Sequence, residues 1–153
     1  MTAPRSVTVL GLAVASALLL DACGSAPLTQ TRFVAKAEAI CSQMEKQGEA
    51  LPAPTGPNDL PAFLTHSVSI TESGLAQLET LAKGYKDRAW VEKVFLTPLK
   101  GRILAIQKVM PQVVEESAQG KTAALDGVQY PNADLEGMGV YGFHNCRKVM
   151  NSA

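Results

Sequence analysis

One long apolar run opens the chain, and amphipathic stretches separated by short breaks fill the rest. Val7–Leu20 is apolar apart from Thr8, Gly11 and Ser16. From Thr29 the pattern becomes helical. Phe33, Ala37, Ile40, Met44 and Leu51 share one side at about 100° per residue, flanked by Val34 and Cys41. The spacing predicts a first helix over Thr29–Leu51, capped by Thr29 or Thr31 and ended by the loop Pro52–Asn58. A second helix is predicted over Asn58–Lys83. Asn58 or Asp59 would cap it, Pro61 fits its first turn, and Gly84 stops it. Its stripe of Leu60, Leu64, Val68, Leu75, Leu78 and Ala82 is widened by Phe63, Ile70 and Leu81. A face that broad suits a bundle helix with more than one neighbour.

Asp87–Gly120 reads as helical but broken. Trp90, Val91, Val94 and Phe95 point one way, whereas Leu99, Ile103, Ile106, Met110 and Val113 form a stripe turned by roughly 120°. Thr97-Pro98 between them reads as a cap followed by proline at the first helical position. Pro111 should kink the second piece, and it lies off the stripe. Lys121–Val128 suggests a short turn. Asn132–Tyr141 is the last predicted helix, weakened by Gly137 and Gly139 and ended by Gly142, with Cys146 beyond it. No alternating stretch is long enough for a strand. Few aromatics with much alanine and leucine favour helix over sheet. The expected fold is all-α, an antiparallel bundle of roughly four helices whose third is broken by proline, closed by one disulfide.

The opening run reads as an export signal, because Arg5 and the free amino terminus precede an apolar segment that ends in small residues. About 14 apolar residues fall short of the ~20 a spanning helix needs. Its end, Leu20-Asp21-Ala22-Cys23, resembles the lipoprotein box of bacterial lipoproteins. That resemblance implies a diacylglyceryl thioether on Cys23, cleavage just before it, and an amino terminus held at the membrane. Asp21 departs from the pattern, which usually has a small or aliphatic residue there. Two alternatives stay open: ordinary secretion with cleavage after Gly24-Ser25-Ala26, and an uncleaved segment with Cys23 as an unpaired thiol. The expected organisation is a signal peptide over 1–22, a flexible tether over 23–31 and a helical domain over 32–153. The expected location is the outer face of the cell membrane, through a lipid anchor.

Roughly 130 residues after Cys23 suffice for one domain with a real core. The chain carries 14 basic and 14 acidic residues. Loss of the leader removes one of each, Arg5 and Asp21, so the mature protein stays neutral. That argues against nucleic acid as a partner and gives no strong pull toward anionic lipid. With Cys23 set aside, Cys41 and Cys146 make an even pair in an oxidising compartment, where a disulfide is the default.

Glu38–Lys46 (EAICSQMEK) and Tyr141–Cys146 (YGFHNC) together resemble a group of small helical envelope lipoproteins from high-GC Gram-positive bacteria. The resemblance implies a helical bundle and a Cys41–Cys146 bridge, and no activity.

Several motifs invite chemistry. Gly137-x-Gly139-x-x-Gly142 matches a dinucleotide fingerprint by spelling, but a polar helical start precedes it and the chain stops too soon for the acidic partner. Tight helix packing and a helix stop explain it better. His144-x-Cys146 near Cys41 suggests zinc, yet a bridge consumes both sulfurs. His66 points away from its helix's stripe. Ser67, Ser69 and His66 crowd one helix too closely to form a triad, and Glu115-Glu116 reads as a solvated helix end. No cofactor, metal or catalytic residue is expected. The leading expectation is a binding or scaffolding role with an envelope protein as partner. The alternative is a carrier of a hydrophobic small molecule or lipid, with Met110, Met138 and Met150 softening the interior. An enzyme whose site the sequence does not connect is a third, weaker reading.

Overall fold

The computed structural model describes residues 27–151. The expected signal peptide over 1–22, Cys23 and the first part of the expected tether over 23–31 lie outside the described residues. Among those described, the fold is an all-α bundle: α1 (Gln30–Glu49), α2 (Leu60–Lys83), α3 (Arg88–Val91), α4 (Thr97–Ala118), α5 (Leu135–Tyr141) and α6 (Asn145–Asn151). None of these helices is long and apolar enough to cross a membrane.

α1 begins where its sequence says it should, with the Thr29 hydroxyl accepting from the Arg32 N–H at 3.4 Å. Phe33, Ala37, Cys41 and Met44 fill its buried face. That face is rotated slightly from the expected stripe. Cys41 sits at its centre and Ile40 is only half-buried, because the bridge to Cys146 pulls that side inward. The folded body also starts earlier than the expected boundary after residue 31. Leu28 donates its N–H to the Gly84 carbonyl at 3.1 Å in an isolated parallel bridge with Tyr85.

A 3₁₀ turn at Pro57–Asp59 leads into α2. Asp59 does not cap the helix with its side chain. Its carboxylate instead accepts from the Thr55 N–H (3.1 Å) and hydroxyl (2.6 Å), closing the loop on itself. Thr55's two hydrogen bonds, led by the hydroxyl, hold the Asp59 pKa below its ordinary value. Val68, Leu75, Leu78 and Ala82 are buried. Gly74 is buried too, and a Cβ there would run into the Met44 side chain, so α2 leaves room for Met44 of α1 by having no side chain at this point.

The proline break takes a different form from the one expected. Thr97 is helical (φ −63°, ψ −48°) and caps nothing. The chain stays helical from α3 through a π turn at Glu92–Leu96 into α4. Pro98 has no N–H to donate, and a π turn widens the ladder at the point where that donor is missing. Val91, Val94, Phe95, Leu96 and Leu99 are all buried. Both stripes reach the interior because neighbours cover this segment on more than one side: α2 and α5 both pack on the π turn. Pro111 lies within α4, exposed.

After α4, a 3₁₀ turn spans Ala123–Leu125. The Asp134 carboxylate caps α5 by accepting from the Gly137 N–H at 2.8 Å. Gly142 ends it in the left-handed region (φ 104°), and the Phe143 N–H reaches back to the Met138 carbonyl at 2.9 Å. Asn132–Tyr141 is therefore not the last helix. The chain reverses at Gly142 and forms α6, which carries Cys146 inside it rather than beyond a helix end. Seven residues are too few to hold a helix alone. Its exposed first amides are satisfied from α1: the Glu38 carboxylate accepts from the Asn145 N–H at 2.7 Å and the Cys146 N–H at 3.0 Å. The Cys41–Cys146 disulfide, with Cα atoms 5.0 Å apart and both residues fully buried, fixes the same pair of helices.

The core divides lengthwise. At one end aromatic rings pack: Phe33 stacks on Tyr85 (4.2 Å), Trp90 on Tyr141 (4.1 Å), and Phe143 lies among Phe33, Phe95 and Tyr141. At the other end, around the C-terminal half of α1, the helices do not close completely.

Candidate binding cavity

The unclosed end is a cavity of about 580 Å³ between α1, α2, α4 and α6, within the ~300–1,000 Å³ of small-molecule sites. α1 contributes Met44, α2 Phe63, Leu64 and Val68, α4 Leu99, Ile103 and Ile106, and α6 Val149. Leu64, expected in the α2 stripe, is half-buried for this reason: it lines the cavity. Two hydroxyls in the wall are already engaged within their own helix. Ser67 donates to the Phe63 carbonyl (2.9 Å) and Thr71 to the Ser67 carbonyl (2.8 Å). They present little unsatisfied polarity to the interior.

Arg102 and Tyr130 are the distinctive polar groups of the wall. Gly101 lets the loop after α4 lie against the helix, since a Cβ there would come 2.5 Å from Pro131 Cγ. Tyr130, adjacent to that proline, is thereby placed against Arg102, whose Cζ lies 5.3 Å from the ring centroid. The ring attracts the cation but accepts none of its in-plane N–H bonds. Arg102 Nε is buried and has no hydrogen-bond partner. Burial lowers the guanidinium pKa, opposed by the Tyr130 side chain. At the rim Lys148 pairs with Glu45 at 3.5 Å, and Glu49 is exposed.

The residues singled out in the sequence fall as follows. Cys41 and Cys146 are joined. His66 and His144 are exposed, and the His144 carbonyl accepts from the Lys148 N–H in the first turn of α6 (3.3 Å). Glu115 is exposed. Glu116 is half-buried, and its carboxylate accepts from the Ala124 N–H at 2.6 Å, so it closes the turn after α4 rather than lying free in solvent. Met138 and Met150 belong to the closed core and Met110 is half-buried; the methionine that lines the cavity is Met44. Within Gly137–Gly142, Gly137 N–H serves the Asp134 cap and Gly142 the helix stop. No group of three or more His, Cys, Asp and Glu side chains suited to a metal occurs among the described residues.

A second polar cluster joins the aromatic end. The Tyr85 and Tyr141 hydroxyls hydrogen-bond each other, and both lie within hydrogen-bond distance of the Asp87 carboxylate (3.2 and 3.3 Å); with one proton on each phenol, one donates to Asp87 and the other to its neighbouring phenol. Burial is the first cause raising the pKa of both phenols, with Asp87 adding to the rise. They stay protonated and serve as a link between α5 and the turn after α2. Sequence reading missed both this cluster and Arg102. For Arg102 a signal existed: it lies about 40° around α4 from Ile106, on the edge of the apolar stripe.

Compared with protein-family models, curated proteins and solved structures, the chain matches none.

Proposed function

We propose that this protein is a lipid-anchored, extracytoplasmic helical domain that binds a hydrophobic small molecule or lipid chain inside its bundle. The observation that carries the binding half is the apolar cavity of about 580 Å³ between α1, α2, α4 and α6. The address rests on the zoned leader and on Cys23, and a buried disulfide suits an oxidising compartment. The bridge that the likeness to small envelope lipoproteins implied is present, and it joins the two segments Glu38–Lys46 and Tyr141–Cys146, with the Glu38 cap beside it. A pure scaffold should offer a contiguous apolar patch. The large exposed hydrophobics among the described residues are Leu104, Val114 and Val140. The first two lie roughly 15 Å apart along α4 and roughly 80° apart around it, and the third is on α5.

The test is titration of the full chain with the neutral apolar fluorophore N-phenylnaphthylamine. Saturable binding is expected, and Leu64→Trp, which fills the cavity, should abolish it while far-ultraviolet circular dichroism stays unchanged. Equal binding by both proteins would defeat the reading. Cys23→Ala tests the anchor separately and should release the protein from membranes.

A further inference from the structure

We infer that the cavity's ligand is a single-chain amphiphile with an anionic oxygen head, and that Arg102 is the head-group contact. The inference rests on the binding reading above and adds to it the chemistry of the ligand.

Placing a guanidinium against an apolar wall is unfavourable unless its charge and its N–H groups find partners. Tyr130 meets part of the first need. Nothing in the protein meets the second at Nε, which is shut off from solvent and makes no hydrogen bond. The neighbouring acids do not fill the place. Glu45 is engaged with Lys148. Glu49 is exposed, and Glu72 on α2 accepts from Gln107 at 2.8 Å. None of the three forms an ion pair with Arg102.

Nε itself is enclosed by protein, so the edge offered to a ligand is the pair of terminal nitrogens, which no acid among the described residues pairs. That edge matches the paired oxygens of a carboxylate or phosphate, and such charge-assisted bonds strengthen where water is excluded. Beside it, Leu99, Ile103 and Ile106 continue along α4 as an apolar wall. A ligand polar at one end and greasy along its length fits both features. The volume is that of a drug-sized molecule, which accommodates one long chain and not the two of a phospholipid.

Displacement of the bound fluorophore from the full chain tests this, with hexadecanoate, hexadecyl phosphate and hexadecanol as competitors. The two anions should compete at concentrations about tenfold or more below the alcohol, the scale of a charged hydrogen bond. Whichever anion is stronger identifies the head as carboxylate or phosphate. Arg102→Gln should erase the anionic preference and leave hexadecanol unchanged, while Arg102→Lys, which keeps the charge but not the fork, should restore part of it. Equal competition by all three chains, or an equal loss of all three in Arg102→Gln, would overturn the inference while leaving the cavity reading standing. Failure of the fluorophore to bind at all would remove both.

Discussion

Breaking the Cys41–Cys146 bond should remove a large part of the protein's stability, and the size of the loss follows from the loop it closes. The two residues are 105 apart in sequence. The chain-entropy treatment assigns a closed loop of that length about 4.7 kcal/mol, by restricting the unfolded chain. Unfolding about 125 residues at ~2.1 cal/mol/K each gives an entropy near 0.26 kcal/mol/K, so the same energy corresponds to a Tm drop of about 18 °C. Domains of this kind hold only ~5–15 kcal/mol in total, which leaves the reduced protein marginal. The assay is a thermal melt followed by circular dichroism with and without reductant, with thiol counting to verify that the bond is open. Reduction is preferable to Cys→Ala, because both residues are fully buried and truncation would add a packing loss of its own. A fall of less than about 5 °C in fully reduced protein would refute the reasoning: it would mean that the unfolded chain is already held compact, or that α6 detaches without unfolding the rest.

Three further outcomes are expected. Glu38→Ala strips the acceptor from two amides of α6 and should cost about 2 kcal/mol, read as a lower denaturant midpoint and faster amide exchange at Asn145 and Cys146; unchanged exchange there would count against the cap. Gly74→Val pushes a side chain into Met44 and should destabilise by roughly 1–3 kcal/mol, with Met44→Ala relieving part of the loss in a double-mutant cycle. The Tyr85 and Tyr141 phenols have folded pKa values above the ordinary 10.0, so the folded state holds their protons more tightly than the unfolded chain does. Their contribution is intact below pH 10 and is lost as pH rises from there through the higher folded values; denaturant midpoints should decline across that window, and less steeply in Tyr141→Phe.

What the sequence reveals tracks how local the cause is. α1 and α2 are legible because their signals lie within a turn or two: Thr29 at one start, Gly84 at the other stop, and apolar residues every three or four positions between. Pro98 correctly marks an interruption, but whether the helix stops or widens depends on the burial of Val94, Phe95 and Leu96, which only the packed neighbours decide. α6 is invisible in its own residues because its cap, Glu38, lies 107 positions upstream of Asn145. The cavity is half legible. A stripe as wide as that of α2 announces surface needing cover, but nothing local says that Leu64 lines a cavity. Tyr130 reaches Arg102 only because Pro131 rests on Gly101, a contact between residues in a helix and a distant loop.

α6 has two fastenings to α1, a covalent one at Cys146 and a polar one at Glu38, and it also supplies Lys148 and Val149 to the cavity. A polypeptide that has not yet been oxidised keeps only the weaker latch, and with it an unfinished wall. On the carrier reading proposed above, loading would thereby become conditional on arrival in an oxidising compartment, where the bridge closes and the wall is completed.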